Sequence, residues 1–170
     1  CAGSRLYVQE SVFAAVVRKL KDRLETLIVG DPMDKNTDIG AINSKAQLDI
    51  INKYIKIGQQ EGAEMYQSSC AIPKKGFYCR PTIFTNVAQS NRIAQEEIFG
   101  PVVTIMPFDT EEEAINYANS NAYGLSATIW TENLKRAHRV AHQIKSGIIW
   151  VNCWLLRDLR TPFGGMKQSG

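Results

Sequence analysis

The second half of the chain keeps a rhythm that few folds can satisfy. Residues 102–107 (VVTIMP), 125–130 (LSATIW) and 147–152 (GIIWVN) are short apolar runs rich in β-branched and aromatic residues, as buried strands require. Between them lie two stretches with helical spacing. The first begins at Thr110-x-x-Glu113, the spacing of a capping box, ahead of Ala114, Ile115 and Ala118. The second runs from Asn133 to Ile144, with Thr131 as its expected cap. Strand, helix, strand, helix, strand at this interval predicts βαβ crossovers, hence an α/β fold with a mainly parallel sheet and flanking helices.

The first half fits the same class. Residues 5–9 (RLYVQ) read as a strand and lead into a helix from Glu10 or Ser11. Its apolar positions are Val12, Phe13, Val16, Val17, Leu20, Leu24 and Leu27. Residues 30–40 (GDPMDKNTDIG) are turn chemistry. Ser44 then opens a second helix carrying Leu48, Ile51, Tyr54 and Ile55 on one face and ending near Gly58–Gly62. Residues 63–66 read as a strand, 68–76 as a loop, and 77–87 as extended segments around Pro81. At 170 residues, with 44% hydrophobic and 22% charged residues, the chain can bury a core without disulfides, and no linker divides it. A net charge of +3 is too weak to argue for nucleic acid, and no apolar run reaches the ~18 residues of a membrane span.

Little metal chemistry is written in the chain. Cys1, Cys70, Cys79 and Cys153 form no CxxC pair. His138 and His142 share a helix face, but Arg139, Val140 and Ala141 lie between them, with no glutamate of an HExxH type, so no metal is expected. The thiols read as reduced, in a cytoplasmic or mitochondrial-matrix compartment. Three places have the residue types for other chemistry. Paired acids, an aromatic and a Gly-Pro turn (EEIFGP, 96–101) stand just before a strand, where α/β sheets place ligands. Residues 162–170 (PFGGMKQSG) offer adjacent glycines for close backbone approach or positive φ. Cys1 sits among small residues ahead of a strand, where a reactive thiol can stand.

Taken together, AGSR (2–5), EEIFGP, YGLSATIW (123–130), GIIWVN and PFGGMKQSG occur in the order and spacing of the aldehyde dehydrogenase superfamily. The chain is identified as a member of it over residues 1–170. The resemblance implies a piece of the catalytic domain, with a nucleotide-binding domain expected before it and a tail beyond it. It implies NAD or NADP as cofactor, a small-molecule aldehyde as substrate, and a homo-oligomer, dimer or tetramer, in the full-length protein. In the family a cysteine thiolate attacks the aldehyde, hydride passes to the nicotinamide, and the remaining thioester is hydrolysed by water that a glutamate activates. The isolated chain, without the base and the nucleotide domain, is expected to show no turnover.

Carried over residue by residue, Cys1 matches the position after the nucleophile. A one-residue shortening would instead make it the nucleophile itself. Glu97 matches the glutamate that holds the nicotinamide ribose, Phe99 the aromatic beside the nicotinamide, and Gln47 a position near the adenosine side. Phe163 matches an aromatic wall of the substrate pocket, with Leu156 and Arg157 on its variable loop, 153–161. The pattern W-x-x-R-[DE]-L ahead of PFGGMK resembles the muconic semialdehyde dehydrogenases, and an arginine fork there can bind a substrate carboxylate. Residues 38–42 and 64–67 look more like two-module members, some of which lack a usable nucleophile. They carry the alternative of a non-catalytic oligomerising scaffold on the same fold.

Overall fold

A computed structural model describes residues 2–170; Cys1 lies outside the described residues. In chain order the elements are β1 (Arg5–Gln9), α1 (Glu10–Glu25), α2 (Lys45–Gln60), β2 (Glu64–Gln67), β3 (Thr82–Thr85) and α3 (Arg92–Gln95). There follow β4 (Val102–Phe108), α4 (Glu111–Asn119), β5 (Ser126–Ile129), α5 (Leu134–Gln143) and β6 (Ile148–Val151), then a 3₁₀ turn at Lys167–Ser169. They divide into two compact units, Ser4–Pro107 and one centred on Phe108–Gly170.

The first unit is a four-stranded sheet of order β1-β4-β3-β2. Strand β3 runs parallel to β4 (Thr82↔Val102, Phe84↔Thr104) and antiparallel to β2 (Glu64↔Thr85, Gln67↔Thr82). Side chains alternate across a strand, so each strand feeds two cores. Ile83 and Ile105 face Phe13, Val16, Val17, Leu20 and Leu24 of α1. Phe84, Val102 and Met106 face Ile51 and Ile55 of α2 and Ile93 of α3. The result is a sheet with helices on both faces. Phe84, Ile51 and Ile105 are fully buried, each contributing about 1.5–3 kcal/mol of transfer free energy.

Helix α1 corrects one expected core position. Val12 is exposed, while Phe13, Val16, Val17, Leu20, Leu24 and Leu27 pack inward. At 100° per residue the five of these on the helix span a single arc, Val12 falls outside it, and Leu27 follows just past the helix end. Helix α2 begins where Ser44 predicts: the Ser44 side chain accepts the Gln47 N–H at 3.1 Å.

In the second unit β5 and β6 pair in parallel, with Ser126 opposite Ile148 and Ile129 opposite Val151, and α5 makes the crossover. The three strands of the second-half rhythm thus divide between two sheets: β4 sits between β1 and β3, while β5 and β6 pair with each other. Periodicity reports how a strand is buried and is silent on its neighbour. Thr110 caps α4 by accepting the Glu113 N–H, and Glu113 reaches back to the Asp109 N–H. Helix α5 is capped by Asn133, whose Oδ1 accepts the Arg136 N–H at 3.0 Å, and not by Thr131. Thr131 Oγ1 accepts the Asn133 N–H, so it orders the residue that does the capping.

Candidate functional site

In the first unit the site is built on EEIFGP, an extended segment between α3 and β4. Its residues alternate between anchoring and exposure. Glu96 is held by three groups: Arg92 Nε at 2.7 Å, Arg92 Nη2 at 2.9 Å, and the Tyr54 hydroxyl of α2. These donors hold the Glu96 carboxyl down to about 2, the Arg92 guanidinium contributing most. The same bonds push the Tyr54 phenol up, Glu96 being the first cause. Ile98 is buried in the α2-side core. Gly100 lies against Ile51; a Cβ built there would come within 2.6 Å of it, so this approach requires glycine.

The alternate positions face outward. Glu97 is exposed and makes no hydrogen bond or ion pair among the described residues. Phe99 is 74% exposed, with φ of 52°. Left-handed backbone at a non-glycine residue is disfavoured by roughly 1–2 kcal/mol, and such strain concentrates at functional sites. Gln47 supports this geometry from α2: its Nε2 donates to the Ile98 carbonyl at 2.9 Å and the Phe99 carbonyl at 3.3 Å. Gln47 and Phe99, with Ala41, Ile42 and Asn43, line a concavity of about 290 Å³. Chemically, the free Glu97 carboxylate can accept hydrogen bonds from hydroxyl groups, and the exposed Phe99 ring at the concavity can stack on a flat heterocycle. The two acids of EE therefore differ in kind, Glu96 as a tether and Glu97 as an available acceptor. Of the two residues that hold Glu96, the sequence named Tyr54 only as part of the apolar face of α2 and did not name Arg92; the Arg92/Glu96 spacing of four was the one visible sign.

In the second unit the PFGGMKQSG segment is clamped to the chain around Gly124. The Met166 N–H donates to the Gly124 carbonyl at 2.8 Å, and the Gln168 N–H to Ala122 O at 3.1 Å. Lys167 Nζ donates to the carbonyls of Asn119 and Asn121. Close approach explains the glycines here: the Gly164 carbonyl occupies the place a Cβ of Gly147 would take. Within the segment, positive φ falls instead on Lys167. The Trp150 indole of β6 donates to the Leu156 carbonyl at 2.9 Å, tying the variable loop to the sheet.

That loop brings the three expected substrate residues together. Leu156, Arg157 and Phe163, with Trp150, Asp158 and Thr161 among their neighbours, line a concavity of about 190 Å³. The Arg157 guanidinium lies 4.2 Å from the Phe163 ring centre, a cation–π contact. It does not pair with Asp158. Asp158 is taken by Arg160, through Nε at 2.9 Å and 3.0 Å and through a short Nη2 contact. Arg157 therefore has no carboxylate partner among the described residues.

Cys70, Cys79 and Cys153 are free thiols, and burial raises Cys79 above the ordinary thiol value. His138 and His142 are both exposed, and among the described residues no three His, Cys, Asp or Glu side chains gather to hold a metal. Among the same residues no helix is long and apolar enough to cross a membrane.

The chain is similar to known proteins along its whole length. Residues 1–170 match the aldehyde dehydrogenase family. The chain is 42% identical to a 2-aminomuconic semialdehyde dehydrogenase of Bos taurus, covering 98% of the chain and 36% of that protein. It is 45% identical to a 2-hydroxymuconic semialdehyde dehydrogenase of Pseudomonas putida, covering 100% and 36%. It superposes on the NAD+ complex of an aldehyde dehydrogenase from Bacillus cereus with a TM-score of 0.94 and 42% identity, covering 99% of the chain and 34% of that structure. The chain thus spans about a third of the length of these relatives.

Proposed function

The chain belongs to the aldehyde dehydrogenase family, and from that premise we propose that the protein carrying it oxidises a carboxylate-bearing semialdehyde to the acid with NAD or NADP. The observation that carries the substrate class is Arg157, exposed at the rim of an apolar concavity and without an acidic partner. Its planar fork matches a carboxylate, and the Phe163 face holds that fork in place. Leu156 and Phe163 supply apolar walls for the carbon chain between the two ends of the substrate. Relatives whose names specify muconic semialdehydes support this class.

On the cofactor side, Glu97 would accept hydrogen bonds from ribose hydroxyls, and Phe99 would offer an apolar face to the nicotinamide. Gln47 holds the carbonyls on either side of that turn and borders the concavity. When bound, the cofactor supplies the hydride acceptor. The nucleophile expected at or beside Cys1 and the upstream base lie outside the described residues. We further propose a homo-oligomer, supported by exposed apolar side chains at Trp130, Leu134 and Leu159, and a cytoplasmic site of action, supported by the free thiols.

The test is steady-state kinetics of the full-length protein with 2-hydroxymuconic semialdehyde and with hexanal, a neutral aldehyde of equal length. An arginine–carboxylate hydrogen bond is worth about 1.5–3 kcal/mol, so Arg157→Ala should raise KM for the acidic substrate at least ~10-fold and leave hexanal little changed. An unchanged KM for the acidic substrate removes Arg157 from this role.

A further inference from the structure

Arg157 and Asp158 are adjacent in sequence and line the same concavity. An arginine beside an aspartate in one pocket ordinarily satisfies itself, and a substrate carboxylate must then displace an internal one. In this loop the competitor is already occupied. Arg160 Nε contacts both Asp158 oxygens, its Nη2 contacts Oδ2, and the Arg160 backbone N–H donates to Oδ1 at 2.9 Å. The Thr161 N–H donates to the Asp158 carbonyl at 3.0 Å, closing a turn over residues 158–161 that holds Arg160 beside Asp158. The Asp158 carboxyl is accordingly held below its ordinary value, the Arg160 side chain being the main cause.

We infer that Arg160 is a specificity-determining positioning residue: by engaging Asp158 it keeps the Arg157 fork unpaired for an anionic substrate. This rests on the reading of Arg157 given above. Arg160 itself points to solvent, with a side chain 90% exposed, and does not line the concavity. Selectivity then comes from removing an internal competitor as much as from the attractive contact itself. Lysine at 160 would keep the charge and lose the fork that reaches both oxygens.

The experiment compares KM for 2-hydroxymuconic semialdehyde and for hexanal in the full-length protein and in R160A, R160K, D158N and R160A/D158N. The Asp158 backbone bond survives in R160A, and exposed pairs are weak, so the expected change is modest. R160A should raise KM for the acidic substrate about threefold with kcat held and hexanal unaffected. R160K should fall between R160A and the parent, R160A/D158N should return to the parent value, and D158N alone should stay near it. An R160A value equal to the parent overturns the inference. So does a rise shared by hexanal, or one that D158N does not reverse. A D158N value as far below the parent as R160A lies above it also overturns it, because net charge alone would then explain both. Arg157→Ala separates the two claims: if it leaves the acidic KM unchanged, the Arg157 reading fails and the Arg160 role with it. If Arg157→Ala raises KM and R160A does not, only the Arg160 role fails.

Discussion

Two neighbouring glutamates of the same chemistry have opposite fates because an extended backbone turns successive side chains to opposite sides. Glu96 turns toward α2 and α3 and is captured by Arg92 and Tyr54; Glu97 turns away and stays available. The capture has a pH signature. The folded-state value of Glu96, about 2, lies below the ordinary 4.5. Its contribution to stability is therefore fully present above pH 4.5 and is lost as pH falls toward 2. Glu96→Gln should be less stable than the parent near neutral pH by of order 1 kcal/mol, a small figure because the pair is half exposed and screened. That gap should close between pH 4.5 and 2. Urea midpoints across this range test it, and a gap that stays constant with pH would show that the charge of Glu96 contributes nothing.

Helix ends were the elements most readable from sequence where one residue could serve as cap, and least readable where two could. Ser44 and Thr110 cap as their spacing predicts. At α5, Thr131 and Asn133 compete, and the folded backbone selects Asn133, which is extended and stands three residues before the Arg136 N–H. Asn133→Ala should cost about 1 kcal/mol of stability, and Thr131→Ala less, because Thr131 acts through Asn133. Thermal denaturation of the two variants checks the order; the reverse order would restore Thr131 as the cap. The ends of the Arg5–Gln9 strand were legible because a charged residue opens it and a helix start closes it.

For the molecule as a whole, large apolar side chains remain on the surface in number, among them Trp130, Leu134, Leu156 and Leu159 in the second unit. Isolated apolar side chains are ordinary on a surface, and Trp130, Leu134 and Leu159 are the ones on which the proposed homo-oligomer rests. The purified chain should associate with rising concentration in sedimentation velocity, and replacing Leu134 and Leu159 with Asp should weaken that association. A single monomer species across a 100-fold concentration range would remove the oligomer proposal.

The amino-acid sequence by itself determined the α/β class, nearly every element, and which segments are the candidates for chemistry, because periodicity, turn residues and short motifs are local properties of the chain. It also placed Glu97, Phe99, Gln47, Leu156, Arg157 and Phe163 in the two candidate sites through resemblance. Only the tertiary structure decided which sheet each strand joins, that Tyr54 and Arg92 hold Glu96 while Glu97 faces away, and that Asp158 pairs with Arg160. Those outcomes are choices among partners of equal local chemistry. Which donor meets which carboxylate depends on where the folded backbone sets them, and pattern along the chain does not encode that distance.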